Sequence, residues 1–92
     1  MIRSWKSREL RELFETGRSR RIDQKLQKRC LDRLTALNAA GDLRDLNVHG
    51  YELHQWSGKV RPWSISVSGP WRILFDWDKG DAYNVDLAQP HG

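Results

Sequence analysis

The second half of the chain carries five side chains that could cleave RNA without a metal ion: His54, Lys59, Arg61, Arg72 and His91. Such cleavage needs a base for the proton of the ribose 2'-hydroxyl, a cation near the phosphorus and an acid for the leaving 5'-oxygen. Histidine can be base or acid because its ordinary pKa is about 6.5. Arginine suits the phosphate because its planar fork keeps its charge. These residue types therefore fit the chemistry, although their presence alone is weak evidence for it.

Arg72 stands in an otherwise apolar run, WRILFDW, and also has a structural explanation. It can form an ion pair with Asp76 on the same strand face, or with Glu52 on another strand. The pattern alone slightly favours such a pair over a role in catalysis.

The other four side chains have structural explanations as well. His54 can be an exposed strand residue without a role, and the residues alone do not favour catalysis over that. Lys59 and Arg61 lie in a predicted hairpin loop, SGKVRP, where solvated charge is ordinary. His91 lies one residue from the end of the chain, where disorder is common.

The sequence predicts neither a metal site nor a cofactor. The three histidines, His49, His54 and His91, lack ligand spacing, and no glycine-rich phosphate loop or HExxH motif is present. Cys30 is the single cysteine, which excludes an intrachain disulfide and a cysteine-rich zinc site. Because it falls on an apolar helical stripe, we expect a buried thiol rather than a nucleophile.

Length and composition predict one folded domain over residues 1–92. The chain has 92 residues, 38% of them hydrophobic and 30% charged, with five tryptophans. Its net charge is +4, and the imbalance lies in residues 1–50, which carry twelve Lys or Arg against seven Asp or Glu. Such asymmetry is typical of a surface that binds a polyanion or an acidic protein, and equally of a solvated helical face. No segment reads as a signal peptide or membrane span, so we expect a cytoplasmic protein.

The elements that position these residues are two helices followed by an antiparallel meander. Ser7 can cap a helix that ends at Gly17, and Asp23 can cap a longer one. The longer helix has one apolar stripe, made of Leu26, Cys30, Leu31, Leu34 and Leu37. Its basic residues fall largely on the outer face: Lys25, Lys28, Arg29 and Arg33.

From residue 51 the hydrophobic period changes from 3.6 to 2. Alternation predicts strands over 51–56, 63–68, 71–77 and 83–87, with turns at SGP and DKGD. Tyr83, Val85 and Leu87 should share one face of the last strand. Helices on one side then leave the other face open, with His54, Arg72 and the serines of 64–68 exposed on it.

Three segments resemble HigB-type toxins of the RelE/ParE superfamily, the growth-inhibiting halves of bacterial type II toxin–antitoxin pairs. They are MIRSWKSRELRELFETG, LNVHGYELHQWSG and WSISVSGPWRILFDWDKGDAYNVD. The resemblance covers nearly the whole chain in order. Its most specific part is WSISVSGPWRI followed by GDAY.

The resemblance implies an α+β, microbial-ribonuclease-type RelE fold, with two N-terminal helices on a curved, mainly antiparallel sheet. It also implies a metal-independent endoribonuclease that enters the ribosomal aminoacyl site, cuts mRNA by 2'-hydroxyl attack and so inhibits translation. Its partners would be a helix-turn-helix antitoxin of the HigA type, the 70S ribosome with mRNA, and ribosomal RNA. Operator DNA would be bound only through the antitoxin. The RNA-binding residues would be Lys25, Lys28, Arg29, Arg33, Lys59 and Arg61.

Three residues inherit roles from the family pattern. His54 in LHQWSG matches the family's active-site histidine, and Arg72 in WRI matches its phosphate-binding arginine. His91 matches the histidine that ends the family's tail, a general acid or base. Ser57 stands at a usual lysine, and the tail LAQPHG lacks the usual acidic residue and tyrosine.

A second hypothesis is a binding protein of the same superfamily that cleaves no RNA. It would inhibit DNA gyrase, as ParE relatives do, or act mainly as the antitoxin's partner and co-repressor. The altered tail favours this alternative. A third hypothesis is a generic basic RNA-binding domain.

Overall fold

A computed structural model of the chain describes residues 1–59 and 61–89. The elements are helices α1 (Arg8–Thr16) and α2 (Gln24–Ala39), a 3-10 turn (Leu43–Leu46), and strands β1 (His54–Gln55), β2 (Trp63–Ser68), β3 (Trp71–Asp78) and β4 (Asp81–Ala88). The predicted order of two helices and then a sheet is confirmed. No helix of these described ranges is long and apolar enough to cross a membrane.

Both helices begin at the predicted caps. The Ser7 hydroxyl accepts a hydrogen bond from the Leu10 amide at 3.1 Å, and α1 ends at Gly17 with φ of 86°. The Asp23 carboxylate accepts from the Lys25 amide at 2.9 Å at the start of α2. Each cap satisfies an amide that the helix itself leaves unpaired, so local sequence fixes where the helices begin.

The four strands form an antiparallel sheet in the order β1-β2-β3-β4. The N-terminal segment adds two parallel bridges to β4, from Ile2 to Ala82 and from Trp5 to Val85. The sheet is therefore mainly antiparallel, as expected, and the segment covers part of the outer edge of β4.

The hydrophobic core lies between the two helices and one face of the sheet. Helix α2 packs on β2 and β4, while α1 packs on α2 and β4. The largest fully buried side chains of this layer are Leu10, Leu13, Leu34, Leu37, Leu46, Ile65, Ile73 and Phe75. Because the side chains of β2 and β3 alternate between the two faces, the helices cover one face of these strands and leave the other open.

The prediction for β4 is wrong at one position. Ala82 and Val85 are buried, whereas Tyr83 is only half-buried. The pairing of β3 with β4 shifts at this point, and Asn84 has a φ of 54°. An extra residue at such a bulge reverses the alternation, so Tyr83 and Val85 no longer face the same way.

The predicted strand over residues 51–56 is also wrong in extent, since only His54 and Gln55 form it. Glu52 has a φ of 49°, which interrupts the extended backbone. The Tyr51 carbonyl instead accepts a hydrogen bond from the Ser66 amide at 2.6 Å. The segment therefore contacts β2 at Ser66 and bends at Glu52 before the short strand begins.

We expect Gly80→Ala to destabilise the hairpin between β3 and β4. Gly80 has a φ of 85°, and a Cβ there would lie 3.2 Å from the Gly41 carbonyl oxygen. The free energy of unfolding should fall by about 1 kcal/mol or more, measured by urea denaturation. Gly41→Ala is the control, because a Cβ there meets nothing within 4 Å. Equal effects of both substitutions would contradict this account.

The Cys30 thiol should be unreactive in the folded protein. It is fully buried, and burial raises its pKa to about 11. Roughly one thiol in a thousand is then ionised at pH 8, where the thiolate is the reactive form. A disulfide reagent should label the native protein very slowly and the unfolded protein at once. Native labelling as fast as that of free cysteine would disprove this.

Candidate functional site

The open face of the sheet carries the polar strand positions. Directly paired residues on neighbouring antiparallel strands point to the same face. His54 pairs with Ser64, Ser64 with Leu74, and Ser66 with Arg72. The sheet therefore brings the strands of His54 and Arg72 together through β2, on the face away from the helices.

The Arg72 guanidinium is held by a set of oxygen atoms. Its Nε donates to the Ser64 hydroxyl at 2.8 Å, and its Nη2 donates to the carbonyls of Glu52 at 2.5 Å and Ser64 at 3.4 Å. Its Nη1 meets the Glu52 carboxylate at 3.5 Å. Of these four contacts within the described part of the chain, three go to fixed groups and one goes to a carboxylate that is 71% exposed.

The structure decides between the two ion-pair partners that the sequence allowed for Arg72, and it corrects two expectations about exposure on this face. Arg72 does not pair with Asp76, whose carboxylate accepts from the Asn84 side chain at 2.8 Å; Glu52 is its ion-pair partner. Nor is the arginine an exposed side chain, since only 16% of it is accessible. Ser64 is fully buried, although the serines of β2 were expected on the surface. The short serine is covered because longer side chains reach over it.

His54 is exposed on β1, and its carbonyl accepts from the Ser64 hydroxyl at 3.3 Å. That hydroxyl also holds Arg72, so one buried atom connects the strands of the two predicted site residues. The imidazole makes no hydrogen bond within the described residues. Within these ranges its nitrogen atoms have no protein partner.

The predicted loop cations are less closely tied to this face. Lys59 and Arg61 are exposed, and the Arg61 Nε donates to the Gly58 carbonyl at 3.1 Å. The third predicted catalytic residue, His91, lies outside the described residues.

The basic residues of α2 divide into two groups. Lys25, Lys28 and Arg29 are exposed, as predicted, although Arg29 also reaches the Val67 carbonyl at 3.5 Å. Arg33 is not on the outer face. It is half-buried, donates to the Ser66 carbonyl at 3.0 Å and lies 4.6 Å from the centre of the Tyr51 ring. Both arginines therefore cover the part of the β2 edge that β1 does not reach.

The metal-ligating residue types do not cluster in the part of the chain that the structure describes. No group of three or more His, Cys, Asp or Glu side chains within residues 1–59 and 61–89 could hold a metal ion.

The geometry can be compared with known proteins. Residues 3–91 match the family model of HigB, a RelE-like toxin of type II toxin–antitoxin systems. The chain belongs to this family of toxins. It is also similar to Endoribonuclease HigB of Proteus vulgaris, with 37% identity over 92 residues that span 99% of this chain and 100% of the relative.

The predicted family and α+β RelE-like fold of this toxin are confirmed, and the predicted endoribonuclease activity is the one for which its relative is named. As a toxin of a type II system, the protein has an antitoxin partner.

Ser64 is the residue of this site that sequence reasoning missed. Its strand and face were predicted correctly, but its burial was not. The available signal was its place on the polar face of β2, beside a strand with a long donor side chain. A serine in that position can accept from a neighbour. Which neighbour reaches it depends on the register between the strands, which the sequence does not give.

We expect Glu52→Gln to strengthen RNA binding by the toxin. The Glu52 carboxylate would compete with an RNA phosphate for Arg72 Nη1, and an exposed ion pair is worth about 0.2–1 kcal/mol. The affinity for a short 2'-O-methyl RNA should rise up to about fivefold, measured by fluorescence anisotropy. Glu12→Gln, an exposed substitution on α1, makes the same change in net charge. An equal gain in both variants would mean that Glu52 does not compete at Arg72.

Proposed function

We propose that this toxin cleaves mRNA on the ribosome and that Arg72 binds the scissile phosphate. The observation that carries the proposal is the arrangement of the guanidinium. Fixed oxygens hold Nε and Nη2, while within residues 1–59 and 61–89 Nη1 has only an exposed carboxylate opposite it. A phosphate can replace that carboxylate without moving the arginine, and a charge that is already oriented stabilises a transition state best.

The proposed reaction uses the 2'-hydroxyl of the message as its nucleophile. A base removes the proton of the 2'-hydroxyl, the 2'-oxygen bonds to phosphorus, and the bond from phosphorus to the 5'-oxygen breaks. An acid returns a proton to that oxygen, so the products carry a 2',3'-cyclic phosphate and a 5'-hydroxyl. His54 and His91 are proposed for the two proton transfers. Arg72, helped by Lys59 or Arg61, would offset the charge on phosphorus.

Charge supports the ribosomal RNA contact in this proposal, and membership of the toxin family supports the antitoxin. Residues 1–50 hold all of the positive excess, with twelve Lys or Arg against seven Asp or Glu, and Lys25, Lys28 and Arg29 are exposed on α2. With Arg33 at its inner edge, this helix would contact ribosomal RNA phosphates, which need no base sequence for recognition. The antitoxin would be a helix-turn-helix protein of the HigA type, through which the pair binds operator DNA. Residues 1–92 would act as one domain in the bacterial cytoplasm.

Arg72→Ala should reduce the single-turnover rate of mRNA cleavage on programmed 70S ribosomes by about 100-fold or more. His54→Ala should also reduce it, by about 100-fold. Arg72→Lys keeps the charge but lacks the planar fork, so it should restore little activity. Arg44→Ala is the control, since this exposed arginine pairs only with Asp42 within the described residues and carries the same charge.

Mapping of 5' ends after induction in cells completes the experiment. Cuts inside translated codons, absent from free mRNA, support the proposal. Full activity of Arg72→Ala at an unchanged melting temperature would overturn the role of Arg72. Absence of cuts together with DNA damage would replace the proposal by gyrase inhibition.

A further inference from the structure

The Ser64 hydroxyl uses its whole hydrogen-bonding capacity inside the protein. A serine hydroxyl has one proton to donate and two lone pairs to accept with. The Ser64 Oγ donates to the His54 carbonyl at 3.3 Å and accepts from the Trp56 indole nitrogen at 3.1 Å and the Arg72 Nε at 2.8 Å. The side chain is fully buried, so it cannot touch RNA. Its contacts connect β3 with His54 in β1 and with Trp56, the residue after β1.

This hydroxyl determines how the guanidinium is turned. Arginine has five N–H protons in one plane, so fixing Nε and one terminal nitrogen fixes the whole group. Ser64 binds Nε through its hydroxyl and Nη2 through its carbonyl at 3.4 Å. The Glu52 carbonyl binds Nη2 from the other side. Within the described residues, Nη1 is then left with only the exposed Glu52 carboxylate.

The neighbouring serine shows that position on the face is not sufficient. Ser66 lies two residues along the same strand, points to the same face and is paired directly with Arg72. Its hydroxyl makes no hydrogen bond to any residue in the described ranges, and the side chain is half-buried. The two serines share a strand and a face but differ in burial and in contact with the arginine, so Ser66 provides a control for position on the face.

We propose that Ser64 is a positioning residue of the toxin, whose buried hydroxyl orients Arg72 for the phosphate and ties it to the strand of His54. The proposal rests on the proposed function of Arg72. Ser64 acts through the arginine, so its loss should affect the transition state more than the binding of RNA.

Ser64→Ala should lower kcat for ribosomal mRNA cleavage by roughly 10- to 100-fold, because a small misplacement of a catalytic group has effects of this size. KM should change by less than about threefold. Ser66→Ala should keep both constants. Ser64→Thr retains the hydroxyl and should recover most of the rate. All rates are measured well below the melting temperature of each variant, since Ser64→Ala leaves two donors unpaired.

A double-mutant cycle separates positioning from a general structural effect. If Ser64 acts through Arg72, Ser64→Ala should slow an Arg72→Lys protein by less than about twofold. A purely structural serine would instead reduce the rate by the same factor in both backgrounds. That result would overturn the proposal.

A second measurement does not depend on activity. The Nε–H signal of Arg72 is identified in a proton–nitrogen NMR spectrum by its loss in Arg72→Lys. In Ser64→Ala, its exchange with water should accelerate at least about tenfold, because the hydrogen bond to a buried acceptor is lost. Ser66→Ala should leave the signal unchanged. Unchanged exchange in Ser64→Ala overturns the proposal even if the rate falls.

The two proposals can fail separately. If the wild-type toxin cuts no RNA, the proposed function fails, and the Nε–H exchange alone decides whether Ser64 orients Arg72. Faster exchange in Ser64→Ala then supports the positioning role, and unchanged exchange refutes it.

Discussion

Packing of α2 and α1 across one face of the sheet removes a continuous layer of aliphatic side chains from water. This burial is the main favourable contribution to folding in a domain of this size. It also decides what the other face can be, because strand side chains alternate. Ile65, Ile73 and Phe75 point into the helices and are fully buried. The residues next to them on each strand must point away, and Arg72, beside Ile73, is one of these.

An arginine that is only 16% exposed needs compensation for the water it has lost. The protein supplies it mainly with neutral oxygens, and with one carboxylate at the surface. Backbone carbonyls and a serine hydroxyl stabilise the guanidinium without neutralising its charge. A tightly buried carboxylate would have cancelled the positive potential that a phosphate requires. The bent segment before β1 contributes to this stabilisation, because it places the Glu52 carbonyl where it accepts a hydrogen bond from Nη2.

Two of the basic residues of α2 also have a structural role. Arg29 and Arg33 donate to carbonyls on the β2 edge, beyond the two residues that pair with β1. An uncovered strand edge invites pairing with other chains, and charged side chains prevent it. Lys25 and Lys28 make no such contacts within the described residues and remain on the outer face. Net charge alone therefore overstates how much of this helix is free to meet RNA.

The sequence by itself determined the features that depend on neighbouring residues. The caps at Ser7 and Asp23 follow from local hydrogen bonding, and the turn at Gly80 follows from backbone freedom. The apolar stripe of the longer helix follows from the spacing of its apolar residues. Alternation placed Arg72 opposite the core, and the quoted motifs identified the family.

The tertiary structure alone decided what depends on register between distant segments. A bulge at Asn84 moved Tyr83 out of line, since one extra residue reverses a strand's faces. The choice of Glu52 over Asp76 as the partner of Arg72, and the burial of Ser64, required strands far apart in sequence to pair in one alignment. Such pairing is set by packing of the whole sheet, which no short stretch of sequence contains.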